Sequence, residues 1–147
     1  MPVDRGIDPR AARFAAAVTS VVLAAVLLTG SGWLLAGQAV VFAIGVVAGL
    51  RRSPYSVIYR VLIRPRLGPP AELEPEAPPR FAQGVGLAFA ALGLVGFALG
   101  STWLAAAPTA LALAAAFLNA AFGFCLGCEV YLLIRRFRSH NREEIAT

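Results

Sequence analysis

Four stretches of this chain carry no charge, and they constrain everything else. They are Phe14 to Thr29, Trp33 to Leu50, Phe81 to Gly100 and Trp103 to Phe124. Each is close to the roughly 20 residues a helix needs to cross the hydrocarbon core of a bilayer. Only helices or closed barrels cross, because backbone N–H and C=O groups find no water there. The stretches do not alternate with period two, so they predict helices. Of 147 residues, 59% are apolar and 14% charged, against about 45–50% and 25% in soluble domains. A soluble domain of this size has no core large enough to hide that surface. The sequence therefore predicts an all-α membrane protein with four transmembrane helices in a single domain, and argues against a soluble enzyme.

Gly30-Ser31-Gly32 and Gly100-Ser101-Thr102 separate the spans within each pair. Breaks this short predict tight hairpin turns, which Gly and Ser suit. Trp33 and Trp103 follow the turns, where interfacial aromatics are expected. All 13 basic residues are Arg. Arg5, Arg10 and Arg13 precede the first span. Arg51, Arg52, Arg60, Arg64, Arg66 and Arg80 lie between the second and third, and Arg135, Arg136, Arg138 and Arg142 follow the fourth. The turns have none. The positive-inside rule then puts both termini and the central segment in the cytoplasm. A cleaved signal peptide is the rival reading of the N-terminus. No clear small-x-small site follows Leu28, and a second apolar run starts almost at once.

The halves resemble each other. Arg13-Phe14-Ala15 answers to Arg80-Phe81-Ala82, and Trp33-Leu34 to Trp103-Leu104. Tyr59 to Arg66 answers to Tyr131 to Arg138. Each half reads as a two-span hairpin followed by a juxtamembrane amphipathic helix, and the two hairpins as parallel repeats about an axis along the membrane normal. The segment from Pro54 to Arg66 suits the headgroup region, with Arg60 and Arg64 available to anionic lipid; Arg135 and Arg136 take that place in the second half. Residues 67–80 hold five prolines and three glutamates and predict a non-helical, solvated cytoplasmic linker. The charge lies at membrane flanks, so the expected partner is the bilayer and not a nucleic acid.

Gly45 and Gly49, Gly96 and Gly100, and Gly123 and Gly127 are each four apart, a spacing that lets helix backbones approach closely. Packing within the bundle is the first expectation, and contact between copies in a homo-oligomer the second. Gln38, Gln83 and Asn119 predict interhelical hydrogen bonds. Pro108 bends the fourth helix or lies in its first turns.

Chemistry rests on Cys125-Leu126-Gly127-Cys128-Glu129, which holds both cysteines of the chain. On a helix this spacing places both on one face, with Cβ atoms about 5–6 Å apart. A disulfide wants roughly 3.5–4.5 Å, so a local adjustment near Gly127 is needed. The pair suits dithiol–disulfide exchange, in which one thiolate attacks and the other resolves. It also suits persulfide carriage, metal binding or inert packing. Structural zinc normally takes four ligands, and the lone His140 lies in the tail; haem attachment would want His where Glu129 stands. No cofactor or metal is expected. A static structural disulfide is not expected on the cytoplasmic side, where thiols are kept reduced. Arg neighbours or a helix N-terminus would favour the thiolate, and Glu129 would oppose it.

Three stretches carry a family resemblance. They are Asp8-Pro9-Arg10 with Arg13-Phe14; Arg64 to Pro70 with Pro79 to Gly84; and Asn119 to Glu129. Together they resemble the bacterial membrane family called domain of unknown function 4395, over nearly the whole chain. The resemblance implies a multi-span protein of the inner (plasma) membrane, without an established activity. It implies the company of thioredoxin-like and rhodanese-type sulfurtransferase proteins, and so thiol or sulfur traffic through Cys125 and Cys128. The Arg-only, Ala-rich composition suits an actinobacterium. A Cys-x-x-Cys on four spans is also similar to vitamin K epoxide reductases and disulfide-generating oxidases. A second cysteine pair is missing and the predicted side is opposite, so only the analogy stands.

The first functional expectation is a membrane-bound thiol or persulfide relay. Cys125 or Cys128 would exchange with a cytoplasmic thioredoxin-like or rhodanese-type partner. Glu129 would handle a proton, while Arg135 and Arg136 would favour thiolate or attract an anion. The second is a non-catalytic scaffold or oligomer subunit, and the third a small transporter subunit.

Overall fold

The computed structural model describes residues 6–146, so Arg5 lies outside the described residues. Asp8 opens the first helix, α1 (Pro9–Thr29), its carboxylate accepting from the Arg10 N–H, as an N-cap does. Pro9 fits the first turn, where no N–H partner is needed. Gly30 ends α1 with φ 66°, and Ser31 caps α2 (Gly32–Val47) by accepting from Leu34 N–H. The second pair of long helices repeats this device. Gly100, φ 71°, ends α5 (Ala77–Leu99). Ser101 then caps α6 (Thr102–Phe122) by accepting from Leu104 N–H. The tight turns expected at both glycine–serine breaks are therefore formed.

Between α2 and α5 the chain makes a 3₁₀ turn (Leu50–Arg52), then α3 (Pro54–Ile58), a π-helical stretch (Tyr59–Ile63) and α4 (Arg64–Leu67). The last element, α7 (Leu126–Ala146), runs eight residues past Arg138 (146 − 138), where the expected second juxtamembrane segment stops. No strand forms among the described residues; Ile7 and Glu74 make an isolated antiparallel bridge. Three helices are long and apolar enough to cross a membrane, α1, α5 and α6, and α2 is a shorter apolar helix. Such helices are compatible with a multi-pass membrane protein.

The long helices pack α1 on α6 and α5 on both α2 and α6. Leu23, Val26, Leu35, Ala39, Phe42, Ala90 and Ala112 form the core. Larger residues stay outside: Leu28, Trp33, Leu99 and Trp103 are all more than 70% exposed. That is the expected pattern for a bundle whose surroundings are as apolar as its interior. Small residues let α5 and α6 close up. A Cβ on Gly96 would overlap the backbone of Leu104 and Ala105, and one on Gly93 would lie 2.9 Å from Thr109 Oγ1.

Some expectations need correction. In each glycine pair only one member packs helices. Gly49, Gly100 and Gly123 have φ of 99°, 71° and 68°; Gly100 and Gly123 end helices, as residues without a Cβ readily do, and Gly49 opens the 3₁₀ turn after α2. The linker is not a free tether: Ile7 and Glu74 exchange backbone hydrogen bonds of 2.8 and 2.9 Å, and Glu76 accepts from Leu50 N–H at 2.9 Å. Its last four residues, Ala77 to Arg80, already form the first turn of α5, which tolerates proline. Pro108 is buried inside α6, beyond the first turn. Of the three amides, Gln38 makes the expected interhelical bond, donating to Thr19 Oγ1 at 3.4 Å.

Two arginines tie the helices crosswise. Arg13 of α1 donates to the carbonyls of Ala120 and Ala121 at the end of α6, at 3.2 and 3.4 Å. Arg80 of α5 donates to those of Val46 and Val47 at the end of α2, at 2.7 and 3.1 Å. Terminal carbonyls lack intrahelical partners and carry the negative end of the helix dipole, so a guanidinium suits them.

Candidate functional site

The cysteine loop sits where α6 gives way to α7. Gly123 ends α6 with its N–H on Asn119 O, and α7 begins at Leu126. Cys125 thus precedes the helix. Its carbonyl accepts from Glu129 N–H at 3.0 Å, and its sulfur from Cys128 N–H at 3.2 Å. Cys125 and Cys128 are joined by a disulfide, with Cα atoms 5.1 Å apart. A pair inside a regular helix would have needed distortion; a pair straddling a helix start does not, because Cys125 is free of helical geometry. The sequence predicts that a disulfide needs a local adjustment near Gly127; here the bond is closed with Cys125 just outside the helix.

Neighbouring helices hold the loop. A Cβ on Gly127 would come within 2.7 Å of Ala82 Cα, so α7 meets the first turns of α5 backbone to backbone. The rings of Phe81 and Tyr131 meet in a tilted contact, with centroids 5.7 Å apart. Arg13 Nε would lie 3.8 Å from a Cβ on Gly123. That makes Arg13 the basic side chain beside the loop. Arg135 follows Cys128 by seven residues (135 − 128), about 10 Å along the helix at 1.5 Å per residue. Cys125 also stands at the start of a 21-residue helix, whose positive dipole end favours an anion. Glu129 is exposed in the first turn of α7, and Arg135 and Arg136 are exposed further on.

A cavity of about 710 Å³ opens at this end of the bundle. The starts of α1 and α5, the end of α6, and α3 contribute to its wall. Alanines of α1 and α6 line much of it, among them Ala12, Ala15, Ala115 and Ala116. Cys125 lines it, whereas Cys128 does not. Arg60 and Arg64 are exposed at its edge and make no ion pair among the described residues.

A polar cluster beside the cavity was not legible in the sequence. Gln38 is 1% exposed; its carbonyl accepts from Tyr55 O–H at 2.6 Å. Tyr59 O–H donates to Asp8 Oδ2 at 3.3 Å. Arg10 grips the same carboxylate at 3.0 and 3.1 Å and donates to Gly68 O at 2.9 Å. Burial works to raise the Asp8 carboxyl, but the Arg10 hydrogen bonds and charge outweigh it and hold it below the ordinary carboxylate range. Burial pushes the Tyr55 hydroxyl up. It does the same for Tyr59, with the Asp8 charge adding to it. Gln38 was readable as an interhelical donor; its partners Thr19 and Tyr55 gave no separate signal. Among the described residues no group of three or more His, Cys, Asp or Glu is placed to hold a metal.

The three stretches that carry the family resemblance meet here. Arg10, paired with Asp8, donates to Gly68 O, and Ala82 meets Gly127. No curated protein and no solved structure matches the chain. A family model described as Domain of unknown function (DUF4395) matches residues 7–136, nearly all of it, and the chain belongs to that family.

Proposed function

We propose that this protein is a multi-pass inner-membrane thiol relay, working through Cys125 and Cys128 at the cytoplasmic face. The observation that carries the reading is the disulfide at the head of α7, with Cys125 half-buried against the cavity. A bond spanning three residues closes a very short loop, so it constrains the unfolded chain little. On the cytoplasmic side a disulfide is normally one that is made and broken in turnover. A partner thiolate attacks one sulfur, a mixed disulfide forms, and the released thiolate stays at the helix start. A thioredoxin-like or rhodanese-type protein is the proposed partner, and a persulfide the alternative cargo. Glu129, exposed one residue past Cys128, is the proposed proton carrier. Arg60, Arg64, Arg135 and Arg136 face anionic headgroups or an acidic partner.

The membrane arrangement belongs to the same proposal. The turns at Gly30-Ser31 and Gly100-Ser101 mark the uncharged, outer end, and the arginines mark the cytoplasmic end. With α2 as the fourth span, the halves match in detail. Phe14 meets Tyr59 at 5.8 Å and Phe81 meets Tyr131 at 5.7 Å, both as tilted ring pairs. Arg13 and Arg80 cap each other's hairpin. With Tyr59 set on Tyr131, Ser53 and Ser56 fall on Cys125 and Cys128. In this reading one repeat keeps the chemistry and the other keeps only the place for it.

The test is Cys125→Ser and Cys128→Ser in cells. Acid quenching followed by differential alkylation reads the native oxidation state, and a single-Cys variant traps mixed disulfides. A pair that cycles with the supply of thiol reductant or thiosulfate, and a trapped cytoplasmic partner, are expected. A pair that stays in one state under every condition, with the double Ser variant fully active, would refute the relay and leave the scaffold reading.

A further inference from the structure

We propose that the cavity at the head of α7 binds a membrane-soluble quinone, and that this quinone reoxidises the Cys125–Cys128 dithiol. The inference rests on the relay reading, because it supplies the second half of the cycle. Once a partner has been oxidised, the site is a dithiol and needs an acceptor of two electrons. Of the two cysteines, it is Cys125 that lines the cavity. The acceptor must therefore reach a largely apolar space between helices, and a carrier dissolved in the bilayer can do so.

The wall of the cavity fits that chemical class. Its volume, about 710 Å³, lies in the range of roughly 300–1,000 Å³ usual for small-molecule sites. Phe42 and Phe89 are among its lining residues, and aromatic side chains pack well against a planar ring. Gln83 and Asn119 also line it. Neither side-chain amide bonds to another described residue, so both N–H groups are free to donate to ring carbonyls. The alanine wall of α1 and α6 leaves room for an apolar tail. A phospholipid chain would use the alanines but neither the amides nor the sulfur.

The step balances. Two S–H bonds break and one S–S bond forms. The two electrons and two protons pass to the quinone, whose carbonyl oxygens become the hydroxyls of a quinol. Cys125 faces the ring and Cys128 closes the bond onto it.

The full chain in lipid nanodiscs, reduced and freed of reductant without oxygen, tests this. The probes are decylubiquinone, whose ring is fully substituted, and oxidised glutathione as a water-soluble disulfide. Quinone absorbance and the mass of alkylated protein give the two rates. Wild-type protein is expected to yield one quinol per disulfide. Ala15→Phe and Ala116→Phe each put a ring at the cavity wall, one from α1 and one from α6, so one folded variant suffices. Either should lower the ratio of quinone rate to glutathione rate at least tenfold. If glutathione oxidises the pair and the quinone does not, the quinone inference falls and the relay stands. If neither does, both fall. Equal rate ratios in a folded filled variant and wild type, or a stable quinone–cysteine adduct, would also overturn the inference.

Discussion

The contact between Gly127 and Ala82 fixes the cysteine loop, and its strength follows from geometry. An added Cβ at Gly127 would sit 2.7 Å from Ala82 Cα and 3.5 Å from Ala82 N. Real Cβ atoms do not approach backbone that closely, so Gly127→Ala must push α7 off α5. Overpacking of this kind costs about 1–3 kcal/mol. Replacing glycine in a helix returns roughly 0.5–1 kcal/mol. The net loss lies between about 0 and 2.5 kcal/mol, and its midpoint, roughly 1 kcal/mol, is about a factor of 5 in the folded population. Gly37→Ala is the control, because nothing lies within 4 Å of its Cβ and only the propensity gain applies. Ala82→Gly should rescue Gly127→Ala in part, since the Ala82 Cα stays in the way. Denaturant titration in micelles gives the stabilities, and trypsin cleavage after Arg135, Arg136 and Arg138 reports undocking of α7. If Gly127→Ala gains stability as Gly37→Ala does, with unchanged cleavage, the close packing argued here is wrong.

Other sites give sharper signs. Tyr55→Phe strands the Gln38 carbonyl, which lies in the bundle core, and should cost about 1–3 kcal/mol in the same titration. Asp8 has a lowered folded pKa, so its stabilisation is complete above the unfolded value near 3.9. It is lost as pH falls through the folded one; Asp8→Asn should flatten that acid limb of a Tm-against-pH curve. Arg80→Ala uncaps Val46 and Val47 and should lower Tm more than Arg66→Ala, which removes an exposed arginine without a hydrogen bond.

The long helices were legible because lipid imposes a coarse rule on sequence: about 20 residues without charge. The turns were legible because Gly30, Ser31, Gly100 and Ser101 have local jobs. The glycine pairs misled because spacing does not distinguish a residue that packs from one that ends a helix. Gly100 and Gly123 are cap positions with positive φ, and only the chain path shows it. The central linker misled for a related reason. Proline count predicts freedom, but Glu74 and Glu76 find backbone donors at Ile7 and Leu50, which are distant in sequence. At the site, the cysteine pair was plain, while its cavity was not. A space walled by Ala12, Ala15, Ala115 and Ala116 is built from residues that carry no individual signal. It exists because α1 and α6 run side by side with small residues facing each other.

The two juxtamembrane segments differ in how they are held, and the difference bears on where chemistry can occur. Pro54 to Leu67 is fastened by two phenols, Tyr55 on Gln38 and Tyr59 on Asp8, and Tyr59 is buried. Tyr131 offers α7 a ring contact but no hydrogen bond to a described residue, and α7 has no buried residue at all. Elements that must open for a partner come from the less stable part of a structure. A disulfide at the start of the tightly pinned segment would be walled in by its own anchors. At the start of α7 it faces the cavity through Cys125, while Gly127, Phe81 and Arg13 fix its position. The loop is thus located by packing, and its hydrogen bonds are local ones, to the end of α6 and the first turn of α7. In the proposed relay, that combination would let the bond form and break in place without the bundle unfolding.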